Sequence, residues 1–162
     1  LSLVILGGAL TDLARNTNKP DKIISELRKI RGKIKCSFVL RSTYHISNNR
    51  RFNQWLSNIL LFFRIKPIIK VENDGMKIGG LHIGNRESYM KDFVKKALKR
   101  KKSISDEILF IAVCGCSEET KKLVYDEATK DIKWKRIYIE EVSSTCLCNI
   151  GAHSIGLIFC ER

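Results

Sequence analysis

The alternation of apolar and polar positions divides the chain into short elements of two kinds. Leu3 to Arg15 reads as a helix, and Asn16 to Lys19 is a polar break. Pro20 suits a helix N1 position, where its missing N–H is no loss, and Asp21 adds negative charge to the first turn. Ile23, Ile24, Leu27 and Ile30 then form a helical stripe that ends near Gly32. Cys36 to Leu40 reads as a short buried strand, Ser42 to Asn48 as one or two helical turns, and Phe52 to Phe63 as an apolar helix after the polar loop Asn49-Arg50-Arg51. Lys66 to Glu72 and Met76 to Ile83 are β-prone runs on either side of Asn73-Asp74-Gly75, a strong hairpin signal because Asp and Gly tolerate positive φ. Gly79-Gly80 breaks the second run and predicts a bulge.

The pattern next turns helical. In Lys91 to Lys102, Met90, Phe93, Val94, Ala97 and Leu98 make one stripe and the lysines the other face, with Asn85 or Ser88 as the cap. Glu107 to Val113 reads as a buried strand. Ser117 caps a helix running to about Lys130, with Glu118 and Glu119 well placed for its dipole. Trp134 to Val142 and Ser154 to Cys160 are the last strands. This order predicts an α+β fold: a two-layer α/β sandwich with a mixed, largely antiparallel sheet and an Asp-Gly hairpin.

Composition narrows the class. With 162 residues and 44% apolar content the chain can bury a real core and is not a disordered polyelectrolyte. Six cysteines are too sparse for a disulfide scaffold, which fits a cytoplasmic protein. Leu1 to Leu10 is apolar but short and has no preceding positive charge, so it is a poor signal peptide. The net charge of +13 is uneven. Residues 1–90 hold 16 basic and 6 acidic side chains, residues 91–102 hold 7 and 1, residues 103–129 hold 2 and 6, and residues 130–162 hold 5 and 4. The basic helix is either a solvated face or a docking face for an anionic partner: acidic protein, phospholipid or nucleic acid.

Few motifs carry chemistry. Cys114-Gly-Cys116 and Cys146-Leu-Cys148 could together offer four thiolates to zinc, but zinc sites usually use CxxC, and small apolar filler explains them as well. His45, His82 and His153 are widely spaced, and no GxSxG, Walker loop, GxGxxG or HExxH occurs. Asp106/Glu107 and Glu140/Glu141 are adjacent pairs that split across the two faces of an extended segment. The residues read as a binding protein rather than an enzyme. The alternative is a basic nucleic-acid-binding domain, although the aromatics lie in apolar runs rather than among the basic residues.

Three segments in sequence resemble the second half of the DegV family of bacterial fatty-acid-binding proteins. Phe38 to Ile69 is similar to a stretch with a Gly-Gly-Arg-Ile loop, an apolar helix and an I-K-P-I strand: Arg51 and Phe52 fall on the Arg-Ile, and Ile65-Lys66-Pro67-Ile68 on the I-K-P-I. The hairpin and Lys95-Lys96-Ala97-Leu98 resemble the family's hairpin and K-K-A-L helix. Gly151, Gly156 and Phe159 match the closing H-T-G-P-G-x-x-G-x-x-F. The loop's Gly-Gly is Asn49-Arg50 here, the motif's His is Asn149, and its Pro-Gly is Ala152-His153.

The resemblance implies a carrier that holds a long-chain fatty acid and presents its carboxylate to a partner fatty-acid kinase, with no catalytic residue, metal or cofactor of its own. It implies that residues 1–35 lead in from a missing N-terminal α/β domain and that residues 36–162 form the C-terminal domain. Arg51, Asn149 and His153 would stand on the carboxylate side. Leu56, Ile59, Leu60 and Phe63, one stripe of the apolar helix, would wall the acyl tail, although an ordinary core helix shows the same stripe. Lys95, Lys96, Lys99 and Arg100 would dock the kinase subunit or touch an anionic membrane surface transiently, and no nucleic acid is expected.

Overall fold

The computed structural model describes residues 2–17, 19–40, 65–72, 75–99, 101–143 and 151–162. Helices α1 (Ser2–Asn16) and α2 (Pro20–Lys33) lead into strand β1 (Ile34–Val39). β2 (Lys66–Glu72) and β3 (Gly75–His82) follow, then α3 (Arg86–Ala97), a 3-10 turn (Lys101–Ser103) and β4 (Ile104–Val113). α4 (Glu118–Thr129), β5 (Arg136–Glu141) and β6 (Ile155–Glu161) complete the chain.

The six strands form one sheet in the order β3-β2-β1-β6-β4-β5. Only β4 and β5 run parallel; every other neighbouring pair is antiparallel. The sheet is therefore mixed and largely antiparallel, as the α+β reading expects. β2 and β3 pair from Lys66↔His82 to Glu72↔Gly75, and Gly75 opens β3 at φ 119°. Asn73 and Asp74 lie outside the described residues. The register slips by one between Ile68↔Gly80 and Ile69↔Ile78, so Gly79 is the extra residue of a bulge.

One face of the sheet carries the main core. Alternation turns Leu109, Ile111 and Val113 of β4 and Ile155, Leu157 and Phe159 of β6 to the same side, where they meet Phe93 and Val94 of α3 and Val124 and Ala128 of α4. α3 and α4 pack on each other and on this face. On the opposite face, Phe38, Leu40 and Ile69 form one apolar cluster and Phe110 and Ile158 another. α1 and α2 pair with each other beyond this second face, and α2 touches β6. α2 has no buried residue, so its stripe is only half-covered.

The helix ends refine the sequence reading. α3 begins at Arg86, earlier than the lysine run suggests, because Asn85 caps it by accepting the Ser88 N–H at 2.8 Å. It ends at Ala97, and Lys101–Ser103 is a separate 3-10 turn. Ser117 occupies the N-cap of α4, but its hydroxyl pairs with Thr120 Oγ1 at 3.0 Å rather than with a backbone N–H. β4 starts three residues before the predicted Glu107, because polar Ser105 and Asp106 hide its pairing with the end of β6.

Candidate functional site

The site of interest gathers where β1 ends and β2, α3 and β6 begin. Leu40 follows β1, Lys66 opens β2, Arg86 is the first residue of α3, and His153 lies in the turn before β6. With Tyr89 and Met90 these residues line one cavity of about 280 Å³. Its wall combines apolar surface from Leu40, Met90 and the Tyr89 ring with an ammonium, a guanidinium and an imidazole.

Local structure places each of these groups. The Lys66 ammonium lies 5.3 Å from the centroid of the Tyr89 ring and donates to the Gly84 carbonyl at 3.4 Å. Tyr89 is buried and donates its hydroxyl to the Pro67 carbonyl at 2.7 Å. Burial pushes its phenol far above the ordinary value, against a backbone hydrogen bond from Leu40, so it stays neutral. Arg86 stands at the N-terminus of α3, whose dipole adds positive potential. His153 has φ 61°, the only non-glycine among the described residues with positive φ. Its N–H donates to the Cys114 carbonyl, which ties the turn to the end of β4. Side chains rarely adopt this conformation without a constraint, and such strain gathers at ligand sites.

Two cationic side chains and an imidazole beside apolar surface suit an amphipathic anion: the polar groups meet a carboxylate and the apolar surface meets methylenes. Of the carboxylate-side residues expected from sequence, His153 lines this cavity, while Arg51 and Asn149 lie outside the described residues. So do Leu56, Ile59, Leu60, Phe63 and Arg100. Lys66 and Arg86 escaped the sequence reading as site residues. Their only signals were a place in the I-K-P-I match and a place just after the α3 cap.

The expected docking lysines differ in freedom. Lys95 is 66% exposed and 3.9 Å from Glu127, and Lys99 is exposed. Lys96 is engaged: it binds Asp92 at 2.6 Å and donates to the Leu81 carbonyl at 3.0 Å.

Two other clusters have chemical potential on paper. His82 places Nδ1 3.0 Å from Asp92 Oδ2 and Nε2 3.0 Å from Ser88 Oγ, the contacts of a nucleophilic triad. However, the Ser88 hydroxyl also donates to the Asn85 carbonyl at 3.1 Å, and Asp92 is shared with Lys96. The cluster fastens the end of β3 to α3. Cys114 and Cys116 are buried, and Cys116 donates to the Ser154 carbonyl at 3.4 Å. Burial raises its thiol above the ordinary value, against a backbone hydrogen bond at Cys114, so it behaves as core. Cys146 and Cys148 lie outside the described residues, and no group of three or more potential metal ligands occurs among the described residues. No described helix is long and apolar enough to cross a membrane.

Comparison with known proteins supplies a lineage. The fold is similar to that of a DegV family protein from Eubacterium eligens loaded with heptadecanoic acid, with TM-score 0.81, 13% identity, and coverage of 98% of this chain and 56% of that one. It is equally similar to a fatty-acid-binding DegV family protein from Streptococcus agalactiae, with TM-score 0.81, 12% identity, and coverage of 97% and 55%. The Fatty Acid Kinase (Fak) B3 protein of Streptococcus pneumoniae, loaded with linoleic acid, gives TM-score 0.78, 15% identity, and coverage of 98% and 55%. The chain spans just over half the length of these proteins. No curated protein sequence matches it. The family model described as "Uncharacterised protein, DegV family" matches residues 1–162, and the chain belongs to the DegV family.

Proposed function

We propose that this chain is the fatty-acid-binding part of a lipid carrier. The observation that carries this reading is the cavity where Lys66, Arg86 and His153 share walls with Leu40, Tyr89 and Met90. A fatty acid is a single carboxylate on a long apolar tail. The two cations and the imidazole hold the head, and the apolar wall takes the first methylenes. At about 280 Å³ the cavity accommodates a head group and part of a chain. The family resemblance assigns the rest of the tail to Leu56, Ile59, Leu60 and Phe63 and the carboxylate end also to Arg51 and Asn149, all outside the described residues. The solved relatives loaded with heptadecanoic and linoleic acid support the ligand class.

The carrier performs no chemistry of its own in this reading. A partner kinase phosphorylates the presented carboxylate, as the Fak B3 relative's name suggests, and exposed Lys95 and Lys99 offer that partner a basic contact. Native mass spectrometry of the protein purified from bacteria checks the ligand. Acyl mass that leaves on denaturation is the expected result. Protein that carries no acyl mass and takes up neither palmitate nor oleate would sink the reading.

A further inference from the structure

A second cavity, of about 490 Å³, opens between the sheet and the C-terminal half of α3. Its wall includes four lysines, Lys35, Lys70, Lys96 and Lys99, together with Ser37 and a single carboxylate, Glu161. Glu161 is 3.3 Å from Lys35, and Lys96 is paired with Asp92 outside the wall. Lys70 and Lys99 have no carboxylate partner among the described residues. Ser37 is only 4% exposed, and its hydroxyl makes no hydrogen bond among the described residues. A buried hydroxyl is normally paired, so one facing a cavity of lysines is an unmet donor.

The backbone is shaped to bring these lysines in. Gly79 is the bulge residue of β3, and a Cβ there would stand 2.5 Å from Cγ of Lys70. A Cβ at Gly80 would stand 3.3 Å from Cδ of Lys96. The double glycine thus leaves room for the Lys70 stem from β2 and the Lys96 stem from α3. With Lys35 and Lys96 paired, Lys70 and Lys99 leave the cavity wall with positive charge that an anion would balance.

We propose that this cavity binds a compact, multiply charged, phosphate-bearing small molecule. Lysine ammoniums are point charges that suit phosphate oxygens, and no arginine fork lines the cavity to favour a planar carboxylate. Ser37 would donate its hydroxyl to one oxygen. The proposal stands apart from the fatty-acid reading, and its test uses no lipid.

The test is calorimetric titration of inorganic pyrophosphate into the 162-residue chain at about 150 mM salt, where weak surface attraction is screened. Saturable one-to-one binding is expected, and Lys70→Met, which keeps the stem, should weaken it about tenfold or more. Ser37→Ala and Lys99→Met should each weaken it, and Lys133→Met, far from the cavity in sequence and exposed, should not. Circular dichroism checks that each variant is folded, and Lys99→Met alone decides the question if Lys70→Met is not. Absence of saturation, a wild-type constant in the Lys99→Met and Lys70→Met chains, or citrate binding as tightly as pyrophosphate would overturn the proposal.

Discussion

His153 concentrates the argument at the scale of one residue. It replaces the glycine of the family's closing motif, yet it holds the left-handed backbone that glycine prefers, at φ 61°. An L side chain there costs about 1–2 kcal/mol. The turn therefore holds a strained histidine backbone whose residue lines the cavity with Lys66 and Arg86. His153→Gly should stabilise the fold by up to about 1 kcal/mol, part of the relief being offset by the greater freedom of glycine when unfolded. The same change should weaken fatty-acid binding, whereas His153→Ala should weaken binding without gaining stability. Urea denaturation and ligand titration of both variants check the pair of effects. The histidine itself was legible from the motif alignment. Its partners Lys66 and Arg86 were not, because they lie far from it in sequence and no local periodicity links an I-K-P-I lysine to the first residue of a helix.

At the scale of elements, α3 joins the two cavities, since its first turn lines the one with Lys66 and His153 and its last turn the lysine cavity. Its apolar stripe was readable because helical spacing of Met90, Phe93, Val94 and Leu98 survives the surrounding lysines. Tyr89 was missed, since a tyrosine in the first turn reads as exposed until Pro67 supplies a carbonyl from another strand. What fixes α3 to β3 is Asp92, which meets both Lys96 and His82. Burial works to raise the Asp92 carboxyl, but hydrogen bonds from Lys96 and His82 outweigh it and hold it below its usual 3.8. A carboxyl held low when folded stabilises the protein fully above the unfolded value and stops doing so as pH falls through the folded one. The Asp92 contribution to stability should therefore be level above about pH 5 and decline below about pH 4. Asp92→Asn should be less stable at neutral pH and show a shallower decline in acid. Urea midpoints measured across that range decide it, and parallel curves for the two proteins would remove Asp92 from the account.

At the scale of the whole molecule, the sheet order follows from connections that sequence pattern alone does not set. The antiparallel β2–β3 pair is local, and its two strands were legible as neighbouring β-prone runs. The central pairing of β1 with β6 joins segments far apart in sequence that only the assembled sheet brings together. The same holds for charge. A total of +13 suggests a nucleic-acid face, but the fold sets Lys66 and Arg86 in a cavity with apolar walls and Lys35, Lys70, Lys96 and Lys99 in a second, more polar one. The central claim is that Lys66, Arg86 and His153 recognise a carboxylate at the head of an acyl chain. It is tested most directly by comparing oleate with its uncharged methyl ester as ligands of the wild-type chain and of Arg86→Ala. The account predicts that oleate binds about tenfold or more tightly than the ester, as expected for a charge-assisted contact, and that Arg86→Ala loses most of that preference. Equal affinity for acid and ester in the wild-type chain would contradict it.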